Sequence, residues 1–303
     1  MEKHLKILVA TDYSKISDNV EQYALHLAKS TNADIVFLHV YARGVVFPEK
    51  FVHLEKTDEI DYEESILQQH TEYVLHSLGT KLDIGKVSCR VAEGNIAREI
   101  LNVAIQEEPD FTIIGTHDGS PLKEKFFGGH TWDVIKHAAL PVLAIPPEAC
   151  YSKMRHIVFA TEYKKSEISL IDYITTFAKL FDAKLTILHV AKATFPSAFD
   201  AEMFEMFKRE IRSKIKYDKL DICLVKSDSL IDGLNDFCMK AKANWLVMSH
   251  EKTFFLASLF SPLSFTKKMS FNTHIPLFAV PDGYIPEGIR KKTGLRQSDA
   301  EYK

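Results

Sequence analysis

Two stretches of the chain decide its fold, because they are diverged copies of one another. Residues 5–40 read LKILVATDYSKISDNVEQYALHLAKSTNADIVFLHV, and residues 155–190 read RHIVFATEYKKSEISLIDYITTFAKLFDAKLTILHV. They align without a gap. The copies also end alike, with HAALPVLAIP at 137–146 against NTHIPLFAVP at 272–281. Self-similarity of this length predicts two domains with the same architecture.

Length and composition agree with two globular domains. The chain has 303 residues, against about 150 for an average domain. It is 46% hydrophobic and 26% charged, with a net charge of −3, which favours neither nucleic acid nor a membrane surface as a partner. There is no signal-peptide pattern, and no apolar run approaches the roughly 20 residues of a membrane span. We therefore expect a cytoplasmic protein, with its four cysteines reduced.

Each copy alternates short, mostly β-branched apolar runs with helical patterns. The runs begin at Ile7, Ile35, Val87, Phe111 and Val142 in the first copy and lie at 156–160, 184–190, 221–225, 244–249 and 277–280 in the second. Helical spacing occupies 18–30, 58–78 and 95–107. Continuous apolar runs are typical of parallel strands buried on both faces. The sequence thus predicts an α/β fold of two tandem, doubly wound, open parallel five-stranded sheets, Rossmann-like, with strand order 3-2-1-4-5.

The predicted domain boundaries follow from the repeat and the prolines. Residues 1–147 form the first domain and residues 152–282 the second, with a linker that Pro146 and Pro147 keep from being helical. The polar tail, residues 283–303, is predicted to be mostly disordered. We expect the domains to pair through their last strands, 142–145 and 277–280, because sheet edges need covering, and the chain to form a homodimer.

A ligand site is predicted where the strand order reverses, at the carboxyl ends of strands 1 and 4. Strand 1 ends at Thr11 and Asp12, and a carboxylate there can accept from an adenine amine or a ribose hydroxyl. Strand 4 ends at Gly115 and opens a glycine-rich loop that leads to a helix from Trp132. Glycines let backbone N–H groups approach phosphate, and a helix N-terminus favours an anion. The candidate residues of this loop are Gly115, His117, Gly128, Gly129 and Thr131.

Two simpler interpretations of these residues stay open. A glycine-rich connection from strand to helix is often only a turn. Asp12 has an equally simple role as a cap of the helix that starts near Ser14. The P-loop pattern G-x-x-x-x-G-K-[ST] is absent, and no G-x-G-x-x-G follows strand 1, which argues against a dinucleotide site.

The stretches KILVATDYS, LHV and IIGTHDGSPLKEKFFGGHTWDVIKHAALPVLAIP resemble the universal stress protein family, over about residues 4–282. ATP-binding members of that family carry G-x2-G-x9-G-[ST] in this loop. Gly115 matches the first glycine and Gly128 the third, while Asp118 replaces the second and Gly129 the Ser/Thr, with Thr131 two positions later. A carboxylate at Asp118 would repel phosphate unless a cation or Lys123 offsets it.

The resemblance also implies a fold, a cofactor and residue roles. The fold is of the adenine nucleotide alpha hydrolase-like type, and the cofactor is ATP or AMP, with Mg²⁺ for a triphosphate. Asp12 would contact adenine or ribose, and the Val40 backbone the adenine edge. The loop glycines would line ribose and phosphates.

The second copy departs further from this pattern. Glu162 stands in place of Asp12, and the loop from Ser249 to Met269 has no glycine but contains Phe254, Phe255, Phe260 and Phe265. Those side chains fill space and offer no hydrogen-bond donors to phosphate. We therefore expect a nucleotide in the first domain and none in the second.

No feature of the sequence predicts an enzyme. The G-x-S-x-G pattern is absent, no acid–base pair stands out, and the 13 histidines show no metal-ligand spacing. Catalytic residues and metal ligands are therefore both predicted to be none. The preferred function is a non-enzymatic stress-response protein that binds an adenine nucleotide in its first domain and acts through protein association. A ligand-free scaffold and a slow ATPase using the same site remain the alternatives.

Overall fold

The computed structural model describes residues 4–41, 56–79, 84–116, 128–192, 198–250 and 273–284. The chain divides into two compact units, Met1–Tyr151 and Ser152–Lys303. The glycine-rich loop predicted in the first unit and the phenylalanine-rich loop predicted in the second both lie largely outside the described residues, at 117–127 and 251–272. Each unit is built from parallel strands joined by helices, as the two sequence copies predict.

The first unit holds a five-stranded parallel sheet in its described part. Its strands are β1 (Lys6–Thr11), β2 (Asp34–Tyr41), β3 (Val87–Glu93), β4 (Phe111–Gly115) and β5 (Val142–Ile145). They lie in the order β3-β2-β1-β4-β5. In register, Thr11 of β1 stands beside His39 of β2, and Val9 beside Ile113 of β4. The predicted strand order 3-2-1-4-5 is confirmed.

Four helices cover this sheet: α1 (Lys15–Thr31), α2 (Lys56–Ser77), α3 (Ile96–Glu107) and α4 (Gly128–His137). Parallel crossovers are right-handed, so the reversal of strand order after β3 places α1 and α2 on one face and α3 and α4 on the other. The described contacts agree, since α1 packs on α2 and α3 on α4. Ser14 caps α1 by accepting from the Ser17 N–H, and Asn95 caps α3 by accepting from the Arg98 N–H.

The second unit repeats the arrangement in its described part. Its strands are β6 (His156–Ala160), β7 (Lys184–Ala191), β8 (Leu220–Lys226), β9 (Trp245–His250) and β10 (Leu277–Pro281), in the order β8-β7-β6-β9-β10. Its helices are α5 (Glu167–Leu180), α6 (Ala198–Lys214) and α7 (Leu230–Lys240). Trp245 is fully buried and stacks on Phe278, with ring centroids 5.1 Å apart. Burial of such large rings is the main source of stability in this core.

Two details differ from the sequence predictions. Helix α4 begins at Gly128 rather than at Trp132, so Gly128 and Gly129 belong to its first turn and not to the preceding loop. The second unit also extends past residue 282, because Tyr284 is only 3% exposed and packs edge-on against Tyr173 at 5.2 Å. The rest of the tail, 285–303, lies outside the described residues.

Candidate functional site

A cleft opens in the first unit at the carboxyl ends of β1 and β4, where the strand order reverses. Five of the predicted site residues line it: Thr11, Asp12, Val40, Gly115 and Thr131. Gly128 and Gly129 lie immediately before His130 and Thr131, which line the cleft from the first turns of α4. His117 falls outside the described residues, as do Asp118 and Lys123.

The apolar wall of this cleft was not singled out from the sequence. It consists of Leu38, Ile96, Ile100 and Ile114, and Val40 lines the cleft beside them. Ile96 and Ile100 are four residues apart at the start of α3 and therefore share one helix face. From the sequence, this spacing predicts a helix over 95–107 and no role in the site. An apolar wall opposite polar strand ends is the usual composition of a small-molecule site.

Asp12 shapes the entrance to α1 from the rim of the cleft. Its Oδ1 accepts from the Ser14 N–H at 3.0 Å and from the Ser17 hydroxyl at 2.5 Å. The Asp12 N–H donates back to Ser17 Oγ at 3.1 Å. The alternative that Asp12 caps the helix is wrong, because the N-cap of α1 is Ser14, and Asp12 instead supports the turn before that cap. Asp12 is also exposed and lines the cleft, so supporting this turn is compatible with contacting a ligand.

Thr11 connects the cleft to a buried carboxylate. Its hydroxyl donates to Glu21 Oε1, and Glu21 is 1% exposed. His70 of α2 donates from Nε2 to Glu21 Oε2 at 2.8 Å. Burial raises the pKa of the Glu21 carboxyl, while Thr11 and His70 oppose that rise. The sequence signal for this residue was its place on the apolar stripe of α1, between Ser17 and Ala24, where a glutamate must find partners.

Tyr13 holds the turn after β1 in an unusual conformation. Its φ is +59°, a left-handed value that is uncommon outside glycine. The ring stacks on His39 with centroids 4.3 Å apart, and His39 Nδ1 donates to the Thr11 carbonyl at 2.9 Å. Stacking and hydrogen bond together fix the end of β1, and with it the placement of Asp12.

The far side of the cleft is fixed by α4. The Thr131 hydroxyl donates to the Gly115 carbonyl oxygen at 2.9 Å. This bond joins α4, near its start, to the end of β4. Thr131 therefore positions the helix terminus beside the strand end, where backbone N–H groups of the helix start favour an anion.

The second unit has the same arrangement at its strand ends, but its buried carboxylate lies one turn earlier, at the start of helix α5. Tyr163 has φ +63° and stacks on His189 at 4.0 Å, and His189 Nδ1 donates to the Thr161 carbonyl at 2.7 Å. The Thr161 hydroxyl donates to Glu167 Oε2 at 2.5 Å. Glu167 stands where the first copy has Ser17, whereas Glu21 corresponds to Ile171.

Glu167 also collects the backbone donors of the turn. The Glu162 N–H lies 3.1 Å from Oε1, and the Lys164 N–H lies 3.2 Å from Oε2. Burial raises the pKa of the Glu167 carboxyl. Glu162 itself points outward to Lys164, with 3.0 Å between Oε2 and Nζ. A cleft is present here too, and its described lining includes two carboxylates, of Glu162 and Glu167, whereas the described lining of the first unit's cleft includes one, of Asp12. The four phenylalanines expected to fill it lie outside the described residues.

No helix among the described residues is both long enough and apolar enough to cross a membrane.

Comparison with known proteins agrees with this fold. The model of the universal stress protein family matches residues 4–146. Universal stress protein YxiE of Bacillus subtilis is 29% identical over 144 residues, which are 46% of this chain and 97% of that protein. Universal stress protein MJ0531 of Methanocaldococcus jannaschii is 28% identical over 142 residues, covering 46% and 81%.

A solved structure of similar fold extends across both units. The crystal structure of a universal stress protein from Archaeoglobus fulgidus covers 91% of this chain, which in turn covers 96% of it, with a TM-score of 0.66 at 16% identity. At that identity the likeness establishes the fold alone. Beyond the fold, the match to the family model is confined to residues 4–146, which are nearly the whole first unit. The first unit is therefore a universal stress protein domain.

Proposed function

We propose that the first unit binds an adenine nucleotide in the cleft between the ends of β1 and β4, and that the protein acts in a stress response by associating with other proteins rather than by catalysis. One observation carries the nucleotide proposal. Residues far apart in sequence, Asp12, Val40 and Gly115, meet at one cleft where the strand order reverses, the position at which sheets of this kind bind ligands.

The chemistry of the cleft suits an adenine nucleoside. Ile100, Ile114 and Leu38 offer an apolar wall to a flat base. The Asp12 carboxylate is a charged acceptor for an amine or a ribose hydroxyl. The start of α4, with Gly128 and Gly129 in its first turn, offers backbone donors to phosphate. We infer that ATP with Mg²⁺, or AMP, occupies this site.

We further propose that the second unit binds no nucleotide. Among the described residues, Glu162 and Glu167 both line its cleft, and each carboxylate opposes a polyphosphate there. Glu167 moreover accepts the backbone N–H groups of the turn after β6, so those donors are already used.

Isothermal calorimetry on the full chain with ATP and Mg²⁺, and separately with AMP, tests the proposal. We expect one site per chain. Asp12→Asn should weaken it about tenfold, or about 1.4 kcal/mol, because a charged acceptor is lost. Glu162→Gln is the matched control at the same strand position of the second unit and should leave the affinity unchanged. Absence of heat with every adenine nucleotide, and of any thermal shift, would favour the ligand-free scaffold.

Gly128→Val gives a second, stricter test. A branched side chain at the start of α4 would fill the space that the phosphates need, so binding should be abolished while the circular dichroism spectrum is kept. Unchanged affinity would remove Gly128 from the site. If the wild type releases ADP from ATP and Gly128→Val does not, the result would instead support the slow ATPase.

A further inference from the structure

Three polar side chains meet on the face of the first unit that α1 and α2 cover, away from the helices α3 and α4 that flank the cleft. Asp18 and Glu21 are three residues apart on α1 and so share one face of that helix. His70 reaches them from α2. One ligand atom from each of the three lies within 4.8 Å of the others. His70 Nε2 stands 2.8 Å and 3.1 Å from the two Glu21 oxygens.

The charges in this cluster do not balance. Glu21 is 1% exposed and its carboxylate lies between Thr11 and His70. The Asp18 carboxylate lies beside it, so a single imidazole faces two carboxylates. One imidazole carries at most one positive charge. A divalent cation would supply two, and charges buried in proteins are paired or coordinate metals.

The second unit shows that the fold does not require these polar groups. At the positions that correspond to Asp18 and Glu21 it has Ile168 and Ile171, which are 8% and 0% exposed. Beside its tyrosine, Phe207 of α6 contacts Tyr163 at 5.2 Å, as His70 contacts Tyr13 at 5.0 Å. The framework therefore accepts apolar side chains at these positions, while Glu167 serves Thr161 from another position of the helix. The need of Thr11 for an acceptor accounts for Glu21, but packing does not account for Asp18 and His70 beside it.

Tyr13 adds a boundary to this donor set. Its ring stands edge-on to the His70 imidazole and stacks on His39, so it restricts how far His70 can turn. Its hydroxyl is buried, with no hydrogen-bond partner among the residues that the structure describes. The edge-on contact limits the rotation of the imidazole that would ligate the ion.

We propose that Asp18, Glu21 and His70 form a binding site for one divalent transition-metal ion of the zinc class. One imidazole nitrogen with two carboxylate oxygens suits such an ion, whereas Mg²⁺ and Ca²⁺ prefer oxygen ligands alone. Ligand atoms about 2.0–2.2 Å from zinc stand roughly 3.4 Å from each other. When the ion binds, the proton on His70 Nε2 passes to Nδ1 or, from a doubly protonated ring, to water, and the hydrogen bond to Glu21 opens to that spacing. Asp18, at the solvent edge, would turn inward to complete the donor set.

Calorimetric titration of the full, chelator-treated chain with ZnCl₂ tests this site independently of any nucleotide. We expect uptake that persists in excess Mg²⁺. His70→Gln should weaken it at least tenfold, and Asp18→Asn should weaken it as well. His76→Gln is the matched control, because His76 lies exposed on the same helix.

Two results would overturn the proposal: no zinc uptake by the wild type, or equal uptake by wild type, His70→Gln and Asp18→Asn. Circular dichroism of each variant checks folding. If His70→Gln does not fold, Asp18→Asn decides the outcome, because a change at the solvent edge of α1 leaves the core intact. A variant that loses zinc binding but keeps its heat of nucleotide binding, or loses nucleotide binding but keeps zinc binding, separates this site from the cleft.

Discussion

Glu167 provides the sharpest test of how the second unit is held together. Replacing it with alanine removes one acceptor group that serves three donors: the Thr161 hydroxyl and the N–H groups of Glu162 and Lys164. A buried donor left without a partner costs about 1–3 kcal/mol. Three such donors would cost roughly 3–9 kcal/mol before relaxation. Water entry and removal of a carboxylate that is costly to bury offset part of this, so we expect a net loss of about 3 kcal/mol.

The chain itself supplies the probe for this measurement. It has two tryptophans, and in a Trp132→Phe background Trp245 of β9 reports on the second unit alone. Urea unfolding followed by Trp245 fluorescence then gives the free energy of unfolding of that unit. The matched control is Glu162→Ala, at an exposed side chain with one surface ion pair, which should cost at most about 0.5 kcal/mol.

The acid–base behaviour of Glu167 adds a pH signature. Burial raises its pKa in the folded state, so the unfolded state ionises at lower pH than the folded state. The stability that Glu167 contributes is therefore fully present below the unfolded value of about 4.5 and declines as pH rises through the folded pKa. The gap between wild type and Glu167→Ala should be wider at pH 4 than at about pH 7. Equal losses for Glu167→Ala and Glu162→Ala would refute the reasoning.

Three further changes test other contacts. Thr131→Val should destabilise the first unit by about 1 kcal/mol, because the Gly115 carbonyl loses its donor. Urea unfolding followed by Trp132 fluorescence should then have its midpoint at a lower urea concentration. No change in that midpoint would mean that the bond is not formed in solution. Gly233→Ala should cost about 1–3 kcal/mol by urea unfolding, since a Cβ there would lie 2.8 Å from Val190 Cγ1, and a neutral result would show that Val190 can move. Burial lowers the pKa of His156, so the second unit should lose stability as pH falls below about 6.5, and His156→Gln should flatten that dependence; an unchanged profile would exclude His156 as its source.

The fold was accessible from the sequence because its signals are local and repeated. Runs such as Val142–Ile145 are apolar without alternation, and only a strand covered on both faces accommodates that pattern. The repeat doubled the evidence for every element. The start of α4 was placed four residues late because paired glycines, at Gly128 and Gly129, are poor helix formers, and tertiary contacts override that preference.

The candidate site was accessible only in part. Strand ends place Thr11, Asp12 and Gly115 together as soon as the strand order is known. Contacts between helices are different, because nothing in the sequence says which turn of α2 faces α1. The pairing of Glu21 with His70 depends on how α2 is rotated against α1, and the two residues are 49 positions apart in the sequence. The role of Glu167 is hidden for a different reason: a glutamate at the start of a helix is usually solvent-exposed, and here its carboxylate accepts from Thr161 and from the turn after β6.

The shift of the buried acid by one helical turn has a consequence for how the two copies diverged. Thr11 and Thr161 each need an acceptor, Glu21 in one copy and Glu167 in the other, at positions that do not correspond. An ancestor with neither acid would have left the threonine hydroxyl unsatisfied, and one with both would have buried two like charges together. We therefore expect each single step of such an exchange, in either copy, to cost stability. Moving the acid of one copy to the position that it has in the other requires both helix positions to change together.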